Sequence, residues 1–160
     1  MEKKLLKILA ENARLSNAQI AVMLGKREEE VENAIAAYEK KGVISGYKAL
    51  INWEKVDEQQ VMAMIELKVE PKQDSGFDGI ARRVMALDKV ESVFLMSGGY
   101  DLAVMVQGAS IQEIAMFVAK RLSTLPSVLS TATHFILTKY KDSGVIMNSE
   151  EGRDERSDVL

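Results

Sequence analysis

The sequence contains no cysteine, one histidine, one tryptophan and two prolines. Without cysteine there is no disulfide framework and no thiolate metal site. The lone histidine, His134, leaves no paired acid–base constellation for chemistry, and it reads as a structural strand residue. No apolar run reaches the roughly 18–20 residues that cross a bilayer, and no signal-peptide pattern opens the chain. A cytoplasmic location away from membranes is therefore expected. Positive charge is scarce: 21 Lys and Arg face 24 Asp and Glu, a formal net charge of -3. That balance argues against nucleic-acid binding spread over the whole surface. It leaves room for a local patch, since nine basic side chains meet seven acidic ones over residues 1–50.

What is present is the composition of a globular protein, with 47% hydrophobic and 28% charged residues in a chain of 160. This length can bury one good core or two small ones. Residues Glu2 to Asn12 carry Leu5, Leu6, Ile8 and Leu9 on one helical stripe. Ser16-Asn17-Ala18-Gln19 is a capping box that opens a second helix, with Ile20, Ala21 and Leu24 inward and Gly25 as its stop. A third helix is expected over 28–41, with Val31, Ile35 and Tyr38 inward and Gly42 ending it. Ala21, Gly25 and Val31 supply the small residue, turn glycine and core residue that a helix-turn-helix needs where its helices cross closely. Val43 to Tyr47 and Lys48 to Asn52 then read as a short strand leading away, and the polar run 54–60 as a boundary.

Beyond that boundary the expected order is strand 61–69, helix 76–87, strand 90–96, strand 102–107, helix 111–122 and strand 128–140. This βαββαβ pattern is the ferredoxin-like arrangement, built from two similar halves. The fold class is thus α+β, an N-terminal winged-helix-like helix-turn-helix followed by a ferredoxin-like domain. The expected boundaries are 1–46 for the helix-turn-helix, 47–60 for a linker strand and connector, 61–141 for the second domain and 142–160 for a polar tail. Two helices can cover one face of such a sheet. The other face carries Met62, Met64, Phe94, Met96, Ala103 and Met105, an apolar patch that monomers rarely leave in water. A sheet-on-sheet homodimer is the simplest closed solution. The methionines suit an adaptable interface better than a soft-metal site, so no metal and no cofactor are expected.

The glycine turn Ser97-Gly98-Gly99-Tyr100-Asp101-Leu102 lies between two of these strands. Its glycines permit positive φ and close approach of a ligand to the main chain. A small ligand bearing a carboxylate and an ammonium would need donors for the one and an acceptor for the other. The amides of Gly98, Gly99 and Tyr100 supply the first, and Asp101 the second. Thr131 and Thr133 offer hydroxyls on one face of the last strand. The same residues also suit a plain hairpin turn in which Asp101 bonds its own backbone.

Five runs in order resemble the Lrp/AsnC family of feast/famine transcriptional regulators. They are 12–16 (Asn12-Ala13-Arg14-Leu15-Ser16), Met23-Leu24-Gly25, 39–47 (Glu39 to Tyr47), 97–102 and 130–133. The resemblance covers roughly residues 2–141. It implies a dimer that assembles further, to an octamer in many members, and an amino-acid effector near the Gly98-Gly99 loop between neighbouring subunits. It also implies binding to double-stranded DNA. Where members carry Ser at the start of the recognition helix and Arg before the apolar residue Ile35, this chain has Arg27 and Ala34. Glu28, Glu29, Glu30 and Glu32 crowd the helix start, where carboxylates suit the macrodipole and repel phosphate. Phosphate contacts are therefore assigned to Arg14, Lys26, Arg27, Lys40, Lys41 and Lys48, with Asn17 beside them, and base reading to Asn33, whose amide matches adenine.

Three functional classes follow. The first is a ligand-responsive DNA-binding regulator with no catalytic residues. The second is an effector-sensing, oligomerising protein whose DNA binding is weak or needs a partner. The third, a tetrapyrrole decarboxylase of similar two-domain architecture, would rely on histidines that this chain lacks.

Overall fold

In the computed structural model, residues 2–56, 60–71, 73–74 and 76–148 are described. The chain divides into two compact units, Met1–Ala49 and Leu50–Leu160. The boundary falls inside the stretch expected to be a connector.

The first unit holds α1 (Glu2–Glu11), α2 (Asn17–Leu24) and α3 (Glu28–Lys40). The capping box forms: the Ser16 hydroxyl accepts the Gln19 N–H at 3.2 Å, and the Gln19 side chain accepts the Ser16 N–H at 2.9 Å. Gly25 ends α2 at φ 62. There the Lys26 N–H donates to the Ala21 carbonyl and the Gly25 N–H to the Val22 carbonyl, the paired bonds of a Schellman turn. Leu5, Ile20, Ala21 and Val31 form the buried centre, with Ile35 and Tyr38 packed against it. Truncating one such residue to Ala costs about 2–5 kcal/mol, a large part of what so small a core supplies.

The strand expected over 43–52 does not form. A strand needs a neighbour to take its amides and carbonyls, and no described segment pairs with it. Instead the Tyr47 hydroxyl donates to Glu39 Oε1 at 2.9 Å, tying the segment back to α3.

The second unit holds β1 (Val61–Val69), α4 (Asp78–Met85), β2 (Val90–Leu95), β3 (Leu102–Gly108), α5 (Ile111–Phe117) and β4 (Val128–Ile136). The sheet is antiparallel in the order β2-β3-β1-β4. A π-helical turn, Val118–Leu122, extends α5 as far as the sequence suggested. It is held by Ser123, whose N–H and hydroxyl both donate to the Val118 carbonyl at 2.8 Å. Ala63, Ile65 and Leu67 on β1, with Leu102, Val104 and Val106 on β3, make the helix-covered face. The alternation of β1 predicts this split, because a period of two sends successive side chains to opposite faces.

The chain past β4 departs from the expected tail. Residues Lys141–Asp142 (β5) and Val145–Ile146 (β6) form a hairpin around Ser143 (φ 47) and Gly144 (φ 85). Two central residues at positive φ are what the twist of a two-residue hairpin requires. Met147 is buried behind it, and its carbonyl accepts Asn52 Nδ2 at 2.7 Å. Lys139 and Asp142 form an ion pair at 3.0 Å at the hairpin base. The tail beyond residue 148 lies outside the described residues.

Candidate functional site: a recognition helix and a glycine loop

The first unit presents α3. Opposite its buried Val31, helical spacing lines up Glu29, Asn33, Ala36 and Lys40 on one outward stripe, and all four are exposed. Asn33 therefore sits mid-face, where an amide can reach a base edge. Glu29, known from the sequence only as one of four acidic residues, and Ala36, not singled out there, lie one turn to either side of it. Counting three and four residues from Asn33 would have found them.

The basic residues are less free than their charge suggests. The Arg27 guanidinium lies 3.4 Å from Glu30 and 3.9 Å from Glu29, and Lys26 lies 3.9 Å from Glu30. Glu30 also accepts the Arg27 N–H at 3.0 Å, closing the first turn of α3. That backbone bond, helped by Lys26 and Arg27, holds the Glu30 carboxyl below its ordinary value. The acidic helix start is thus capped, and two of its four carboxylates, Glu29 and Glu30, are paired with Lys26 and Arg27. Arg14, Lys40, Lys41 and Lys48 are exposed, and Asn17 is half-buried in the first turn of α2.

In the second unit the glycine loop sits at one end of the sheet. Neither Gly98 nor Gly99 adopts a positive φ, and a Cβ on either would meet nothing within 4 Å. The expected left-handed turn is absent, because six residues, 96–101, join the strands, more than a tight hairpin that would need positive φ. No described residue requires glycine at these positions. What the bare backbone offers is room for something outside the chain to approach.

Asp101 anchors the loop. Its N–H donates to the Leu67 carbonyl at 3.0 Å and its carbonyl accepts the Met96 N–H at 2.8 Å. Its Oδ2 accepts the Val69 N–H at 2.9 Å. Half the carboxylate assigned to an effector ammonium is therefore spent on β1, leaving Oδ1 without a partner among the described residues. The amides of Ser97, Gly98, Gly99 and Tyr100 likewise donate to no described group. Four consecutive amides without a described acceptor thus precede, in sequence, a carboxylate with one oxygen that is also without a described partner.

Thr131 pairs with Leu67, which on its other side pairs with Leu102. The three lie in one row across the sheet, so Thr131 stands about 10 Å from the loop's end, two strand spacings away. Thr133 pairs with Ile65, one step farther along the strand. Directly opposite residues share a face, so both threonines lie on the helix side, half-buried at the sheet edge. The structure brings Thr131 to the loop's end of the sheet and leaves Thr133 deeper.

On the open face, Met62, Met64 and Met105 are half-buried, and Phe94 is 53% exposed. His134 Nε2 lies 3.2 Å from Glu66 Oε1 there.

Comparison with known proteins gives the same division. The model of the Lrp/AsnC ligand binding domain matches residues 62–146, and a winged helix-turn-helix DNA-binding model matches residues 1–45. An uncharacterized HTH-type transcriptional regulator, YugG of Bacillus subtilis, is 48% identical over 160 residues, covering 99% of this chain and 95% of its own. The leucine-responsive regulatory protein of Haemophilus influenzae is 25% identical, covering 90% of this chain and 86% of its own. A transcriptional regulator of Neisseria meningitidis, solved as a complex with L-Met, shares the fold at a TM-score of 0.70 and 23% identity. That match covers 91% of this chain and 94% of the other.

Proposed function

The chain belongs to the Lrp/AsnC family of DNA-binding, ligand-responsive transcriptional regulators, and on that premise we propose that it senses an amino acid or a close relative at the glycine loop. The observation that carries this reading is the run of four unpartnered amides at 97–100 beside Asp101 Oδ1. The effector carboxylate takes the amides, and its ammonium takes Oδ1. Thr131 lies at the same sheet end for a further hydroxyl contact. The L-Met complex of the Neisseria relative supports the class of ligand.

The DNA-reading surface is the outward stripe of α3, with Asn33 at its centre and Lys26, Arg27, Arg14, Lys40, Lys41 and Lys48 as phosphate contacts. A homodimer closes the open sheet face, and further assembly, to an octamer, places several DNA-reading helices on one particle. The effector favours one assembly over another and so changes which helices grip DNA together.

A second reading has one observation in its favour: Lys26 and Arg27 are already paired with Glu29 and Glu30. In that reading the chain senses the effector and binds DNA only alongside a more basic partner subunit. Fluorescence anisotropy of the full chain on its own upstream DNA, in a salt series with and without single amino acids, separates the two. Salt-dependent, sequence-specific binding that one amino acid shifts supports the regulator acting alone. Amino-acid binding without DNA binding at low salt supports the second reading. A chain that binds no amino acid refutes both.

A further inference from the structure

The stretch that leads from the DNA-reading unit into the second unit is stitched to residues near the other end of the chain. Asn52 Nδ2 donates to the Met147 carbonyl at 2.7 Å and to Asn148 Oδ1 at 3.2 Å. Asn148 Nδ2 returns a bond to Glu54 Oε2 at 2.7 Å. Asn52 Oδ1 accepts the Glu54 N–H at 3.1 Å and so caps the turn Trp53–Lys55. Together these bonds make a buckle between residues 95 apart. Asn52 is half-buried and uses both ends of its amide here, so losing the arrangement leaves polar groups to be paired elsewhere.

The far side of the buckle is itself held. Met147 is buried, and its N–H, like that of Asn148, donates to the Tyr140 carbonyl at the base of the β5–β6 hairpin. Among the described residues of 50–56, no side chain or amide other than those of the buckle bonds to the rest of the second unit. Asn52, Glu54, Met147 and Asn148 all lie outside the stretches shared with the family, 1–45 and 62–146, so membership does not account for them.

Position in the sequence gives the buckle its consequence. The DNA-reading unit ends at Ala49, and β1 begins at Val61. With Asn52 held, the tether between reader and anchor is three residues, at most about 10 Å. With Asn52 loose, twelve residues run from Ala49 to the sheet, about 40 Å when extended.

We propose that Asn52 is a positioning residue for DNA binding. Buckled to Met147 and Asn148, it keeps the tether short and so restricts the half-site spacing that two readers of one particle grip together. This rests on the regulator reading above, with paired readers in a dimer. A short tether keeps the second reader concentrated over its half-site. Lengthening it from three residues to twelve dilutes that reader about eightfold, by the −3/2 power of length. Reach changes as well. Two held tethers span about 20 Å in all, and two loose ones about 80 Å. One helical turn of DNA is about 34 Å, beyond the first and within the second.

The experiment uses the full chain and its own upstream DNA, footprinted to locate the half-sites. That DNA is then remade with a single half-site, or with about 10 base pairs inserted between the two. Anisotropy compares the wild type with Asn52→Ala and with the milder Asn148→Ala. Trp53, the sole tryptophan, adjoins Asn52 and should report release as red-shifted emission. The wild type is expected to lose the gain of its second half-site on insertion. Both variants should bind the unaltered DNA about eightfold more weakly, tolerate the insertion, and match the wild type on a single half-site. A merely structural role would lower the thermal midpoint and leave the spacing profile as it was. The proposal is overturned if the variants keep the wild-type spacing profile, or if Trp53 emission stays put. A changed assembly state in both variants, seen by sedimentation, also overturns it, because spacing would then follow subunit number. If the wild type gains nothing from a second half-site, paired reading fails and takes this inference with it. A gain that insertion abolishes equally in all three proteins defeats this inference alone.

Discussion

The Asp101 carboxylate accepts the Val69 N–H at 2.9 Å, a bond that joins residues 32 apart and pins the glycine loop to the end of β1. One side chain therefore holds the loop in place and presents a charge beside it. Asp101→Ala should lower stability by about 1–2 kcal/mol, the cost of stranding a half-buried donor. Asp101→Asn keeps an acceptor for Val69 and should unfold at nearly the wild-type urea concentration, yet lose the effector's influence on DNA binding. Equal stability of the Ala and wild-type proteins would sink the anchoring role.

Replacing both Lys26 and Arg27 by Ala should flatten the salt dependence of DNA binding. Each lost phosphate contact removes about 0.9 from the slope of log K against log salt. Glu29→Gln should act in the opposite sense, raising affinity for all sequences alike, because it releases the Arg27 guanidinium held at 3.9 Å. Anisotropy at several salt concentrations checks both, and an unchanged slope in the double variant removes these residues from the interface.

Phe94, 53% exposed, lies on the sheet face that also carries Met64 and Met105. Phe94→Glu places a charge where a second copy would pack, so analytical ultracentrifugation should show it as a monomer where the wild type is at least a dimer. A wild-type monomer at micromolar concentration would exclude the sheet-on-sheet pairing.

Gly108 is required by packing rather than by φ. A Cβ there would lie 2.9 Å from Glu113 Oε2 and 3.0 Å from Ile114 Cγ1. Neither neighbour gives way freely, since Ile114 is fully buried and Glu113 is held by Lys89 and the Ala109 N–H. Gly108→Ala should cost about 1–3 kcal/mol, the usual penalty of overpacking, read from chemical denaturation. Glu113→Ala in the same chain should recover part of the loss.

Stability should fall off at both ends of the pH scale for different reasons. The Lys89 bond, then the Ala109 N–H, lowers the Glu113 carboxyl, and the Arg27 N–H lowers Glu30. Their contribution is present above the ordinary value of 4.5 and is lost as pH falls through the lowered ones. Tyr47 is raised above 10.0 by desolvation and by its bond to Glu39. Its contribution is present below pH 10.0 and lost as pH rises through the raised value. Glu113→Gln should shrink the acid limb of a plot of thermal midpoint against pH, and Tyr47→Phe the alkaline limb. A plot unchanged by either variant would show that these bonds do not persist in solution.

The local rules carried far because they depend on neighbours in sequence. Ser16 and Gln19 cap α2 through bonds three residues long, Gly25 ends it through its own φ, and β1 alternates because a strand has a period of two. The Ser143-Gly144 turn was equally legible, as two turn residues between Lys141-Asp142 and Val145-Ile146, but the polar composition around it hid the signal. The segment 43–52 misled because strand propensity says nothing about whether a partner strand exists.

The sequence by itself determined the two-unit α+β architecture, the inward stripes of α1 to α3 and the two faces of the sheet, all products of short-range periodicity. Only the tertiary structure decided how the functional groups are used. It spent one Asp101 oxygen on Val69 and left the 97–100 amides open. It also set Thr131 level with Leu102. Those relations join residues tens of positions apart, and strand register and burial, which fix them, arise only when the whole chain has packed.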